Sequence, residues 1–285
     1  MAPTLSDREL LTDLIAFHLE AGVDIAIGEE AVNRFEESAA ERASARNRNP
    51  QPSADVAPAR SRAEKASPPT PVPTAPPPPD RAAIEAREAA HSATTLDGLK
   101  ELLEGCEGCP LRNTATQLVF GEGNPLARIM FVGEAPGRDE DIEGRPFIGR
   151  SGKLLDRMLA SIGIARESTY IANVVPWRPP GDRTPTPQET AICLPFIRRQ
   201  IELVDPDILV CLGAAAAQTL LGTTMGITKA RGRWMEYDTG TRRIAALPTF
   251  HPAYLLRTPL GKRMAWHDLL ALQTRLGNLP PRPDR

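Results

Sequence analysis

Three residues of different chemistry stand at or just past strand-like apolar runs in this 285-residue chain: Glu134 after "RIMFVG", Asn173 closing "TYIAN", and His251 after "ALPTF". A carboxamide presents one acceptor beside one donor, and an imidazole changes charge near neutral pH. With a carboxylate on a third strand-end loop, the set is harder to dismiss as three unrelated caps. Taken singly, each has a plainer use, because a lone Asn or His is more often a cap or a satisfied core group. Glu134 also opens the stretch "GEAPGRDEDIEGRPFIGRSGKLL", residues 133 to 155. Its glycines and prolines suit a tight loop whose backbone approaches a ligand closely, just ahead of a helix N-terminus that favours an anion. The stretch is neither a Walker loop nor a dinucleotide fingerprint. Glycine content alone favours a structural turn with charged decoration.

The elements around these residues alternate. "ARIMFVGEAP" reads as a strand broken at Gly133, "SGKLLDRMLASIG" as a helix capped by Ser151 and stopped by Gly163, and "TYIANVVPW" as a second strand. "TPTPQETAICLPFIRRQIELVDP" reads as a helix with a threonine cap, "DILVCLG" as a third strand and "AAAAQTLLG" as a helix. Further strands in "WMEYDTGTRRIAALPTF" and a helix in "GKRMAWHDLLALQTRLG" complete the domain. Strand–helix alternation predicts an α/β fold, a three-layer αβα arrangement on a central, mostly parallel four-stranded sheet. Ligands of such sheets bind beyond the carboxyl ends of the strands, so the loops at 133–150, 173–187 and 250–257 should converge on one cleft.

Composition bounds the rest. Formal charge is −2, so no global field announces a nucleic-acid partner, although a local basic groove is compatible with it. No apolar run is long enough to span a membrane, and the first residues lack the pattern of a signal peptide. Four cysteines without an export signal suit a reducing compartment and a metal or core role rather than disulfides. Three regions are expected: a short helical segment at 1–35, a disordered Pro-rich linker at 36–80, and the α/β domain at 81–285, whose first stretch to about residue 105 is expected to be helical.

"GEAPGRDEDIEGRPFIGRSGKLL", "NVVPWRPP" and "FHPAYLLR", in this order and with the pair in "CEGC", resemble the type 4 (family 4) uracil-DNA glycosylases from about residue 97 onward. The resemblance implies an enzyme that flips deoxyuridine out of DNA and hydrolyses its N-glycosidic bond, leaving an abasic site. It implies His251 as the donor to uracil O2, Asn173 as the base-reading amide, and Phe147 as the aromatic under the flipped base. Glu134 would orient water or the loop, Glu140 would stand against uracil C5 where thymine carries a methyl, and Ala135 stands where type 1 enzymes have an aspartate.

The resemblance further implies a four-iron, four-sulfur ([4Fe-4S]) cluster. Cys106, Cys109 and Cys193 match three of its ligands, while Trp177 stands at the fourth position. Three retained cysteines favour a cluster with an unusual fourth ligand; the alternative is a lost cluster with Trp177 in its space. Cys211, inside "DILVCLG", reads as core. For DNA, Leu255 and Leu256 suit a wedge into the gap left by the flipped base. Arg257 and Arg178, with Arg145, Arg150, Lys153, Arg183, Lys262 and Arg263, form a candidate phosphate-binding rim. The expected partner is uracil-containing DNA, single- or double-stranded. The chain is expected to be monomeric, cytoplasmic and nucleoid-associated, with no membrane contact, and its N-terminal region is a candidate tether to a repair or replication protein. The rival readings are a product-trapping member of the superfamily and a non-catalytic DNA-binding module. The first usually carries a basic insertion with a histidine after the first motif, and residues 137 to 149 contain none.

Overall fold

A computed structural model describes residues 79–281, and the expected N-terminal helix and nearly all of the linker lie outside these residues. The sheet is built from β1 (Glu122–Gly123), β2 (Ile129–Gly133), β3 (Tyr170–Asn173), β4 (Ile208–Leu212), β5 (Met235–Asp238) and β6 (Arg243–Thr249). Their order is β1-β3-β2-β4-β6-β5. The four central strands β3, β2, β4 and β6 run parallel, as expected. The sheet extends beyond the four-strand expectation by an antiparallel strand at each edge. β5 comes from a hairpin with β6. β1 is two residues long and ends in Gly123, whose φ of 119° only glycine adopts freely.

The central strands alternate between two apolar layers. Ile129, Phe131, Ile208, Val210 and Leu247 face one layer, while Met130, Val132, Leu209, Cys211 and Ala246 face the other. The first layer is covered by α4 (Arg150–Ser161), α8 (Pro252–Arg257) and α9 (Gly261–Gly277). The second is covered by α1 (Pro79–Ser92), α2 (Leu96–Glu104), α5 (Pro187–Val204) and α6 (Ala214–Leu221). Burial on both faces explains why these strands read as continuous apolar runs. Cys211 lies on β4 as a core residue, and burial pushes its thiol pKa up to about 12.

Several local expectations shift. The continuous helix expected up to residue 105 is two helices, because Thr95 leaves the helical conformation and its hydroxyl accepts the Gly98 N–H to start α2. The loop at 133–150 contains a one-and-a-half-turn helix, α3 (Arg138–Glu143), with acidic residues in its first turn and a left-handed Gly144 at its end. α4 starts two residues earlier than expected, with Gly149 rather than Ser151 as its cap. α5 starts as expected: Thr186 and Glu189 form a reciprocal capping box with Pro187 in the first turn. A short α7 (Ile227–Ala230) leads to β5.

The chain runs from β2 outward to β3, then returns across β2 to β4 and β6. The reversal falls between β2 and β4, the point at which open α/β sheets form a crevice. Register places Gly133 beside Asn173, Val132 beside Cys211, and Leu212 beside Thr249. Glu134, Asn173, Gly213 and His251 therefore leave the sheet at nearly one level.

Candidate active site

A cleft of about 570 Å³ opens at this level, lined by Glu134, Ala135, Glu140, Phe147, Asn173 and His251 together with residues of the 179–184 loop and the start of α6. The structure thus brings together the site residues that the three separate loops contribute.

Asn173 is buried, and its Oδ1 is the one buried side-chain polar atom among the described residues without a hydrogen-bond partner. A buried acceptor left unpaired costs about 1–3 kcal/mol, so in a residue that lines the cleft it calls for a donor from outside. The close approach of Asn173 and Phe147 needs Gly133. A Cβ on Gly133 would lie 2.5 Å from Asn173 Oδ1 and 2.6 Å from Phe147 Cζ.

Phe147 is held at φ 52°, a conformation costing about 1–3 kcal/mol for a bulky side chain. Three features impose it. Arg166 donates to the carbonyls of Phe147 (3.1 Å) and Pro146 (2.6 Å). Gly152 leaves room for the Phe147 carbonyl, whose oxygen would otherwise meet a Cβ at 1.8 Å. Glu140 accepts the N–H groups of Ile148 (3.1 Å) and Gly149 (2.9 Å), and also that of Gly137 (3.1 Å). Glu140 therefore lines the cleft and, in addition, staples both ends of the loop that carries Phe147. Arg166, itself paired with Asp156 and Glu122, was not legible in the sequence because it lies outside every motif.

His251 is the N-cap of α8, and its Nδ1 accepts the Ala253 N–H at 3.1 Å. That acceptor role leaves the ring proton on Nε2. Burial, then the Arg257 charge, lowers its pKa to about 4, so the ring is a neutral donor at physiological pH. The ring centroid lies 5.5 Å from that of Phe147, with the planes tilted by 33°. Gly213, at φ 94°, passes close behind it, since a Cβ there would stand 3.1 Å from His251 Cβ. Glu134 also lines the cleft, and burial raises its carboxyl pKa against the lowering effect of the Thr184 hydroxyl. Ala135 brings no polar side-chain atom to the cleft.

The expected DNA contacts divide. Leu255 is 1% exposed and packs in the core under α8, which removes it as a wedge; successive helical residues point about 100° apart, and Leu256 takes the outward direction at 38% exposure. Arg257 lines the cleft. Arg178 pairs with Asp182 at 2.7 Å, Arg145 with Glu122 at 2.5 Å, and Arg183 with Glu189 at 2.6 Å. Among the described residues, Arg150, Lys153, Arg257, Lys262 and Arg263 have no carboxylate partner, which leaves them available to phosphate. Ser151, Gln218 and Tyr254 also line the cleft, and the sequence does not assign them to the site: Ser151 reads as a helix cap, Tyr254 is passed over inside its motif, and Gln218 lies outside every motif.

Away from the cleft, Cys109 and Cys193 are fully buried with their sulfurs 3.8 Å apart. Trp177 is buried in the same apolar layer, against which Cys106 packs at its edge. Among the described residues, no group of three or more His, Cys, Asp or Glu side chains is arranged to hold a metal ion.

The family model of the uracil DNA glycosylase superfamily matches residues 120–270. The chain is 49% identical over 160 residues to a type-4 uracil-DNA glycosylase of Thermotoga maritima, an alignment spanning 56% of this chain and 82% of that protein. It is 43% identical to the type-4 enzyme of Archaeoglobus fulgidus over 171 residues, 58% of this chain and 85% of the relative. It is also 43% identical to that of Sulfurisphaera tokodaii over 180 residues, 61% and 81% of the two chains. The chain belongs to the uracil DNA glycosylase superfamily, in its type-4 family. No helix among the described residues is long and apolar enough to cross a membrane.

Proposed function

We propose that this chain is a DNA repair glycosylase that binds a deoxyuridine flipped out of DNA and hydrolyses its N-glycosidic bond. Asn173 carries the reading. Asn173 lines the cleft, and its unpartnered Oδ1 needs a donor, which uracil N3–H would supply. Its amide N–H can then donate to uracil O4. Cytosine reverses both polarities, because its N3 accepts and its N4 donates. Phe147 provides the face on which the ring stacks.

In the reaction, the N1–C1′ bond breaks and its electron pair leaves with the base, placing charge on uracil O2. The Nε2–H of His251 donates to that oxygen; removing one such donor from a water-excluded site costs about 2.7–4 kcal/mol by analogy with oxyanion holes. The N-terminal N–H groups of α6, beside Gly213, add a positive field on the same side of the cleft. Water adds its oxygen to C1′ and gives up one proton, for which Glu134, with its raised pKa, is the adjacent base. The anionic base takes up a proton, giving uracil and an abasic site. Arg257 and the other unpaired cations at the rim bind backbone phosphates, and Leu256 enters the vacated stack.

The test is incubation with uracil-containing oligonucleotides followed by alkali cleavage at abasic sites. Cleavage well above that given by His251→Ala is expected; cleavage equal to it would remove the enzyme reading and leave a DNA-binding module.

A further inference from the structure

We infer that this chain has dispensed with the iron-sulfur cluster its family resemblance implies, and that the Trp177 indole occupies the fourth ligand's place as part of the apolar core. The inference rests on family membership and not on uracil excision.

The donor set is the first reason. A four-iron cluster takes four ligands, usually thiolates. Cys106, Cys109 and Cys193 supply three, and Cys211 is committed to β4. An indole N–H is a donor only and has no lone pair to offer iron. Glu189 is the carboxylate whose charge reaches Cys109 and Cys193. Both its oxygens are already taken, by Arg183 at 2.6 and 2.9 Å and by the Thr186 N–H at 2.7 Å.

Packing is the second. Trp177 is 3% exposed and shares one apolar layer with Leu111, Val175, Ile192 and the two buried cysteines. Within this layer the Cys193 thiol hydrogen-bonds the Cys109 sulfur. A cluster bridges distant segments through metal bonds; here the "CEGC" loop, the segment after β3 and α5 meet through side-chain contact. The backbone beside Trp177 is tied down as well, where the Val119 N–H donates to the Pro176 carbonyl at 2.9 Å. The large indole ring thus does mechanically what the inorganic group would do.

The experiment measures iron, acid-labile sulfide and visible absorbance on full-length protein purified without oxygen from iron-supplied cells. It repeats them after anaerobic incubation with ferrous iron and sulfide. Colourless protein with only trace iron and sulfide in both cases is expected. Stoichiometric iron and sulfide in either case, as a four-iron or a three-iron cluster, would overturn the inference. Thermal melting of Trp177→Phe and Trp177→Ala reads the packing role separately. The alanine variant should melt several degrees lower than wild type, with phenylalanine recovering most of the loss. Equal midpoints for wild type and Trp177→Ala would overturn the substitution of ring for cluster. None of these readouts uses uracil excision, so failure here and failure of the glycosylase reading are told apart.

Discussion

The Glu140 carboxylate holds the backbone N–H of Gly149 at 2.9 Å, nine residues along the chain, and in doing so fixes the turn that carries Phe147. The stacking platform of the cleft is therefore strained backbone, held by this buried acid together with Arg166 and the space at Gly152, and not part of a strand or helix. Glu140→Gln leaves one oxygen to accept where two accept now, and turns an NH2 group toward backbone donors. Hydrogen bonds to charged groups contribute about 1.5–3 kcal/mol. The variant should lose stability in that range by urea denaturation and lose affinity for uracil-containing DNA in parallel.

Gly152 supports the same turn from below. A methyl there would collide with the Phe147 carbonyl carbon at 2.0 Å. Gly152→Ala, although favourable by helix propensity, should cost more than the roughly 1 kcal/mol it would gain in an ordinary helix. Melting temperature should fall and uracil excision should drop at least tenfold; a rise in melting temperature would contradict the geometry.

His251 gives a prediction in pH. Its folded pKa is about 4, below the 6.5 of a free imidazole. The unfolded chain then binds the extra proton first, so the stability His251 confers is full above pH 6.5 and is lost as pH falls toward 4. By linkage, about 1.4 kcal/mol per pKa unit gives about 3–4 kcal/mol over that window. An NMR titration should show the His251 ring neutral down to about pH 5. A midpoint near 6.5 would mean that an imidazolium, not a neutral Nε2–H, faces the leaving base.

Much of this site was legible because its signals are local. A glycine-rich break after an apolar run, an Asn at a strand end and a His before a proline each mark a carboxyl-end loop, and the register of four parallel strands brings them together. What was not legible depends on three-dimensional partners. Leu255 and Leu256 are equivalent in sequence, and only the docking of α8 on the sheet buries one and exposes the other. The Glu140 staple needs three N–H groups from a folded loop, and Arg166 reaches Phe147 from 19 residues away. Thr95 splits the helical stretch before residue 105 because its hydroxyl offers the backbone a competing bond.

The first helix also packs into the domain. Ala82, Ala86 and Ala90 of α1 are buried in the apolar layer, and the Ala93 carbonyl accepts Arg199 at 2.8 and 3.0 Å. A chain starting at Pro79 should keep kcat/KM on short oligonucleotides within about tenfold, or roughly 1.4 kcal/mol. A start near residue 95 should lose stability. Loss of activity in the Pro79 form would assign residues 1–78 a part in catalysis.

Single-turnover excision from otherwise identical oligonucleotides holding one deoxyuridine or one deoxycytidine, by wild type and Asn173→Asp, tests the reading of the cleft most directly. Wild type should release uracil and leave cytosine in place. A carboxylate at 173 cannot donate to O4. Asn173→Asp should therefore lose at least tenfold on uracil, about 1.4 kcal/mol of barrier, and narrow the gap between the two bases. Unchanged uracil excision by Asn173→Asp, with unchanged discrimination, would contradict the account.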